Sequence, residues 1–263
     1  MKLASLFALA LSLVGQDKEK ITLKWQPRQG DCITTVEKTT MELKLTANSQ
    51  EFELSNKGSK KLVTTFLAVK DGKPTKVEYD YKEDIETSNE PGQMEAKEKE
   101  NPLHGKKVTI TEKDGKQVYE GVEGLDDKAM KKLHLEDHIV HMFPKKEISV
   151  GDSWEVTGDE LKKAMDEEDF DEGKITFKLK EVKEINKVRC AVIDVKIDIQ
   201  GDSEEGAHLK IKVEGELIVR LDRGYTVSMK AKGTLSMTMG DADDPTVKGE
   251  GPMTIEETST LKE

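Results

Sequence analysis

His134, His138 and His141 come nearest, by residue type and spacing, to a reaction centre. On one continuous helix, steps of four and three would put the three imidazoles on one face, with Asp127 beside them. Three neutral imidazoles converging from several elements hold zinc with a position left open for water, the layout of a metal-dependent hydrolase. Three along a single helix span about 10 Å at 1.5 Å per residue, so one ion takes all three only where the helix breaks. His134 and His138, four apart, could share one. The chain has no His-Glu-x-x-His pattern, which argues against hydrolysis. The simpler reading is a polar helix face beside an apolar one of Leu135, Ile139 and Met142.

Other chemistry finds less support. The acidic strings from Asp166 to Glu172 and from Asp241 to Asp244 could attract Ca²⁺, but neither has the ligand spacing of an EF-hand loop, and a solvated charge run is the plainer reading. No Gly-x-Ser-x-Gly elbow, phosphate loop or dinucleotide fingerprint occurs. The 53 acidic residues leave carboxylate pairs for glycoside hydrolysis open, yet only Trp25 and Trp154 exist to stack on a sugar. Trp154, within Gly151-Asp152-Ser153-Trp154, reads as structural. The residues imply no cofactor and favour a protein that is not an enzyme.

Two further sets invite a role. Met41, Met229, Met237, Met239 and Met253, with Leu235, fall on the apolar faces of inferred strands. Flexible thioethers there suit promiscuous binding of a hydrophobic small molecule or lipid, although filling an irregular core is the simpler use. Cys32 and Cys190 are an even pair, which permits one disulfide in an oxidising compartment. Each also enters an apolar segment, so buried free thiols compete with the bridge.

The elements that must position these residues are strands. From Tyr225 to Met239 the odd positions are apolar or small and the even ones polar, fifteen residues of unbroken period two. Leu209, Ile211, Val213, Leu217, Val219 and Leu221 alternate likewise, and Asp222-Arg223-Gly224 turns the pair into a hairpin. Ile175 to Leu179, Ala191 to Ile199, and Met253 to Leu261 behave similarly, with Pro245 and Pro252 bounding the loop before the last. In the first half, Ile21-Leu23-Trp25 precedes the turn at Gly30-Asp31. Strands then run through Ile33 to Leu45, Phe52 to Val69 and Val77 to Ile85, with hairpins at Asp71-Gly72 and Asp114-Gly115. Strands of 12–15 residues would reach roughly 40–50 Å if straight, so they must twist and curl.

Cover for the concave side comes from two segments. Thr157-Gly158-Asp159-Glu160 has the form of a capping box ahead of Leu161, Ala164 and Met165, a helix expected to run into the acidic string and stop by Gly173. The stretch from Asp126 to Phe143, ended by Pro144, predicts one helix or two short ones. Residues 90–101 are charged and aperiodic and predict a mobile loop. The expected fold is mainly β (α+β): a long, strongly curled antiparallel sheet or half-barrel, with one or two short helices over its concave face or one end. Its two related meander halves, about 20–122 and 148–263, form a single domain 17–263 joined by the helical segment 126–143.

Composition bounds the function. Of 263 residues 35% are hydrophobic and 36% charged, with a formal charge of −11. That charge argues against a nucleic-acid binder and against docking on anionic lipid. Leu3 to Gly15 is an uncharged apolar run behind Lys2, closed by small residues, the pattern of a secretory signal peptide over residues 1–16. It is shorter than the ~20 residues a membrane span needs. Gln16 stands where a lipoprotein box would carry its lipidated Cys. The expectation is an exported protein, periplasmic or extracellular, soluble, with no lipid anchor and no membrane span. No pattern fixes its oligomeric state.

The leader, the early Gly30-Asp31 turn, the run Val150-Gly151-Asp152-Ser153-Trp154-Glu155-Val156 after Pro144, and the strand pair ending at Leu221-Asp222-Arg223-Gly224 resemble exported bacterial proteins of unknown function with a Gly-Asp-x-Trp turn. In outline this is similar to the half-barrels of periplasmic lipoprotein carriers, which hold acyl chains between sheet and helices. The resemblance implies no catalytic residues. It leaves a non-enzymatic binding or envelope-associated protein as the leading reading, then a carrier of acyl chains or lipoproteins, then a metal-dependent hydrolase using the three histidines.

Overall fold

A computed structural model describes residues 19–47, 49–89, 96–165, 170–203, 206–240 and 245–262. The leader over residues 1–16, the first part of the acidic string and the run 241–244 lie outside the described residues. In chain order the elements are β1 (Lys20–Ile21), β2 (Cys32–Ala47), β3 (Gln50–Lys70), β4 (Lys73–Asn89), β5 (Lys97–Glu100), β6 (Lys107–Lys113), β7 (Lys116–Glu120) and α1 (Asp127–Lys131). A 3₁₀ turn (His138–Met142), β8 (Ile148–Ser149), β9 (Ser153–Thr157) and α2 (Gly158–Met165) follow. The chain continues through β10 (Phe170–Ile185), β11 (Val188–Asp202), β12 (Ala207–Arg220), β13 (Thr226–Gly240) and β14 (Pro245–Lys262).

Among the described residues twelve strands form one antiparallel sheet, in the order β7-β6-β4-β3-β2-β14-β13-β12-β11-β10-β9, with β5 also on β4. It is an open, curled half-barrel whose edges are β7 and β9. The long alternating segments make the long strands because period two lets each dry one face and wet the other. Two meanders meet where β2 pairs with β14, from Val247↔Ala47 to Lys262↔Cys32. Asp71-Gly72 and Asp114-Gly115 turn with both residues at positive φ, the geometry that matches strand twist in a tight hairpin. Asn186-Lys187 turns the same way between β10 and β11.

The curl has an identifiable source. Gly215, Gly233 and Gly251 stand on the inward face of β12, β13 and β14, stepped diagonally across the register. A Cβ at these positions would lie 2.0, 1.9 and 1.7 Å from the carbonyl oxygens of Lys230, Lys212 and Glu42. Only glycine permits so close an approach of neighbouring strands, and such kinks bend a sheet.

Two cores lie against the inward face. One gathers Ile175, Phe177, Leu179, Ile193 and Val213 with Ile139, Ile148 and Leu161 of α2. The other gathers Ile33, Phe66, Val77, Val108 and Ile110 with Leu133, Leu135 and Tyr225. Trp25 packs on both.

Of the two readings of 126–143 the chain takes two short helical pieces, a five-residue helix and a 3₁₀ turn, because Leu133 and Leu135, two apart, are both buried, which an extended chain allows and a single helix face does not. Several other expectations are corrected. Residues 97–100 pair with β4 as β5, while 90–95 lie outside the described residues. The acidic string gives way to strand at Phe170 rather than helix to Gly173. Ile21 pairs with Ile148, but beyond it the N-terminal segment crosses the concave side without strand pairing as far as Asp31. Pro245 and Pro252 lie within β14 rather than bounding a loop: Pro252 has no N–H to donate, and β14's pairing with β2 skips from Glu250 to Met253. Cys32 and Cys190 are free thiols. Their strands stand four places apart, roughly 19 Å along the sheet at ~4.8 Å per step, far beyond a disulfide's reach.

Candidate functional site

The register carries one row of charged side chains across the inward face. Asp84 of β4 lies beside Lys60 of β3, Lys60 beside Glu37 of β2, and Glu37 beside Glu257 of β14. The row then turns apolar at Met229 of β13 and Leu217 of β12. Lys60 Nζ meets Glu37 Oε2 at 2.7 Å. Asp84 is held by Asn101, whose Nδ2 donates to its Oδ1 at 2.9 Å. Thr35 and Ser259 share a hydrogen bond of 3.0 Å in the next row, and Ser259 Oγ donates to Glu257 Oε1 at 3.4 Å.

The segment 134–142 is tied to the sheet near its two ends. Tyr79 Oη donates to the His134 carbonyl at 2.6 Å, and Trp154 Nε1 donates to the Met142 carbonyl at 2.8 Å, fixing the segment near both ends. Leu135 anchors it in one core and Ile139 in the other. Asp137 caps the 3₁₀ turn, its Oδ1 accepting from the Ile139 N–H at 3.0 Å. Its charge reaches Glu257, Lys60, Tyr79 and Tyr225.

The electrostatics follow from four carboxylates around one ammonium. Loss of hydration, then the charges of Asp137 and Glu37, push Glu257 up to about 7, against the opposing pull of Lys60. Burial also raises Asp137, opposed by the Ile139 N–H, His138 and Lys60. Burial works against the charge on Lys60, but Glu37, Asp84 and Glu257 outweigh it and its pKa is raised. Asp137 is nonetheless solvent-accessible, and Glu37, Lys60 and Glu257 are half-exposed. Glu257 can therefore take up or release a proton near neutrality inside the concave face. Both tryptophans are engaged elsewhere, Trp154 stacked on Phe177 at 5.2 Å and Trp25 edge-on to Phe66 at 5.8 Å.

Beyond the charged row the inward face is mixed. Glu86, Asn56 and Ser88 lie on it at β3 and β4, where Asn56 Nδ2 donates to Glu86 Oε1, and apolar side chains fill it toward β2, β14 and β13. Met41 lies beside Met253, and Met237 and Met239 sit on the same face of β13 with Leu235 between Gly233 and Met237. Met229, Met253, Leu209 and Ile211 touch the first core, and Leu235 is buried. Neither core reaches Met41, Leu45, Phe52, Leu54, Met237 or Met239, which are all half-exposed. The structure thus brings the methionines onto one face.

It does not bring the histidines to one point. His134 and His138 meet edge to face at 4.7 Å. His138 Nδ1 pairs with the Lys163 carbonyl at 2.9 Å and His141 Nδ1 with Glu160 Oε2 at 3.1 Å, both toward α2. They border a polar cleft of ≈ 330 Å³ with Lys73, Glu112 and Gln117. Among the described residues no group of three or more His, Cys, Asp or Glu is placed to hold a metal ion. The chain does break between His134 and His138, yet His141 turns to Glu160, away from the His134–His138 pair. Cys32 and Cys190 fall on the convex side, and burial pushes the Cys190 thiol up, which makes it unreactive.

The charged row is what the sequence reading passed over. Glu37 stands between Thr35 and Met41 on the dry side of β2, and Glu257 between Ile255 and Leu261 on that of β14. A charge at a dry position was the available signal.

No protein-family model matches the chain, and no curated protein does. Among solved structures, one described by lipid–protein interactions in lipovitellin superposes with a TM-score of 0.46 at 8% identity, over 90% of this chain and 25% of that one. A DUF1329 family protein from Desulfovibrio piger gives 0.17 at 7% identity, over 88% of this chain and 85% of that one. An outer membrane lipoprotein-sorting protein domain from Vibrio parahaemolyticus gives 0.13 at 10% identity, over 90% and 86%. The chain spans a quarter of the length of the lipovitellin chain. All three superpositions are too loose to fix a shared fold or a shared ligand. Among the described residues no helix is long and apolar enough to cross a membrane.

Proposed function

We propose that this is an exported, non-enzymatic carrier that holds a hydrophobic chain, an acyl chain or the lipid of a lipoprotein, against the concave face of its half-barrel. One observation carries the reading: Met41, Leu45, Phe52, Leu54, Met237 and Met239 share the inward face, half-exposed and outside both cores. Half-exposed apolar side chains on one concave face favour an apolar occupant at about 25 cal/mol per Å² covered. Methionine suits the task because its unbranched thioether adapts to varied partners. The leader-like run at residues 3–15 supports export, and engagement of both tryptophans in packing speaks against a sugar-stacking site.

Native mass spectrometry of full-length protein purified without detergent tests the proposal. A bound lipid mass, and saturable binding of a dansyl-labelled undecanoic acid, are the expected results. Met41→Lys with Met237→Lys should weaken that binding about tenfold or more, since each puts a charge on the apolar strip. A bare protein mass together with no saturable binding of the probe overturns it.

A further inference from the structure

The apolar strip on the concave face has an end as well as a width. Along β14 its inward positions run from Val247, near the hairpin end of the sheet, to Ile255, both half-exposed and outside the two cores. The next inward position is Glu257, which pairs with Glu37 of β2. Glu37 Oε2 meets Lys60 Nζ at 2.7 Å, and one row further on Thr35 and Ser259 share a hydrogen bond of 3.0 Å. Two polar rows thus cross β2 and β14 before the pair Ile33 and Leu261, which belongs to the core around Phe66. Toward β12 the strip meets Val213 and Leu217, buried in the other core. Toward β4 it meets the hydrogen bond from Asn56 to Glu86. Among the described residues no such boundary stands at the hairpin end, where Ala47 pairs with Gln50.

We propose that the strip is a ruler for one unbranched alkyl chain, which enters from the hairpin end and stops where its last carbons reach Glu37 and Glu257. The proposal rests on the carrier reading and adds to it the class of cargo and the residues that select it. Each methylene laid on the strip gains free energy by leaving water. A methylene laid on Glu257, or on the Lys60–Glu37 pair, strips water from charged groups, which costs more than the methylene gains. The head group stays in water at the hairpin end, so chain length is read and head-group chemistry is not. From Val247 to Ile255 the strand advances roughly 27 Å at ~3.4 Å per residue. An extended chain with C–C bonds of ~1.5 Å advances ~1.25 Å per carbon, so about 20 carbons span the strip.

Displacement of the dansyl-labelled undecanoic acid from the full-length protein tests the ruler. The competitors are unbranched fatty acids of about 10 to about 28 carbons, carried in cyclodextrin. Affinity should rise severalfold with each added pair of carbons and level off near about 20. Glu257→Leu lengthens the strip by one inward position and should move that break to chains about five carbons longer, one step being ~6.8 Å. Ile255→Glu brings the polar boundary one position nearer and should move the break about five carbons the other way. Either variant decides the matter where the other does not fold. Alkyl phosphocholines should break at the same carbon count as the fatty acids. Affinity that climbs through the whole series, a break that neither variant moves, or one that shifts with the head group overturns the ruler and leaves the carrier standing. No displacement at any length defeats the carrier and the ruler together.

Discussion

At Gly30-Asp31 the Gly30 N–H donates to the Phe66 carbonyl at 2.8 Å and the Phe66 N–H to the Asp31 carbonyl at 3.0 Å. At Gly151-Asp152 the Gly151 N–H donates to the Leu179 carbonyl at 2.8 Å and the Leu179 N–H to the Asp152 carbonyl at 2.9 Å. In each, the aspartate also accepts from the N–H three residues back, Arg28 or Ser149, at 2.9 Å. Both glycines take the left-handed φ, +92° and +97°. One short motif thus builds one local object twice. The surroundings differ. Asp31 is buried and also accepts from Tyr225 Oη at 3.1 Å and pairs with Arg223 Nε at 3.4 Å, whereas Asp152 is exposed. Turn geometry is set locally, and its energetic weight is set by what the rest of the fold brings to it.

The largest effect should come from the buried turn. Asp31→Ala removes the buried carboxylate from Arg223, which keeps only the exposed Asp222 carboxylate at 3.6 Å. It also removes the acceptor of the Tyr225 hydroxyl, and should destabilise the protein by about 3 kcal/mol in urea unfolding. The comparison also extends to how the halves bend. Gly233→Ala puts a methyl against the Lys212 carbonyl in the second meander, and should cost about 1–3 kcal/mol by overpacking, measured the same way. Asp152→Ala removes the matching cap in the exposed turn and should cost about 1 kcal/mol. Equal losses from Asp31→Ala and Asp152→Ala would break the comparison, because the shared hydrogen bonds would then carry the weight and the buried pair none.

Alternation made the sheet legible. The run from Tyr225 to Met239 dries and wets its faces as its odd and even residues require, and the Asp-Gly pairs supply positive φ where hairpins need it. The inward methionines were legible by the same count. The charged row was less so, because Glu37 and Glu257 look like errors in a pattern until the register sets them side by side. Asp137 was beyond reach of a local reading: its charge reaches Glu257 only because a segment from the middle of the chain comes near strands from its two ends. Between one helix and two short ones at 126–143 the sequence left the choice open, and the cores decide it for two. The segment's apolar residues serve two cores in different directions, and one helical stripe cannot face both.

The pairing of β2 with β14 has a consequence for the order of assembly. Val247 meets Ala47 across 200 residues of chain, whereas hairpin neighbours such as Lys70 and Lys73 meet across a two-residue turn. Loop-closure entropy favours the near contacts first, so each meander can zip from its own turns and the central seam forms last. Until it does, both seam strands offer unpaired edges, and a second copy of the chain could supply the missing partner in an exchanged dimer.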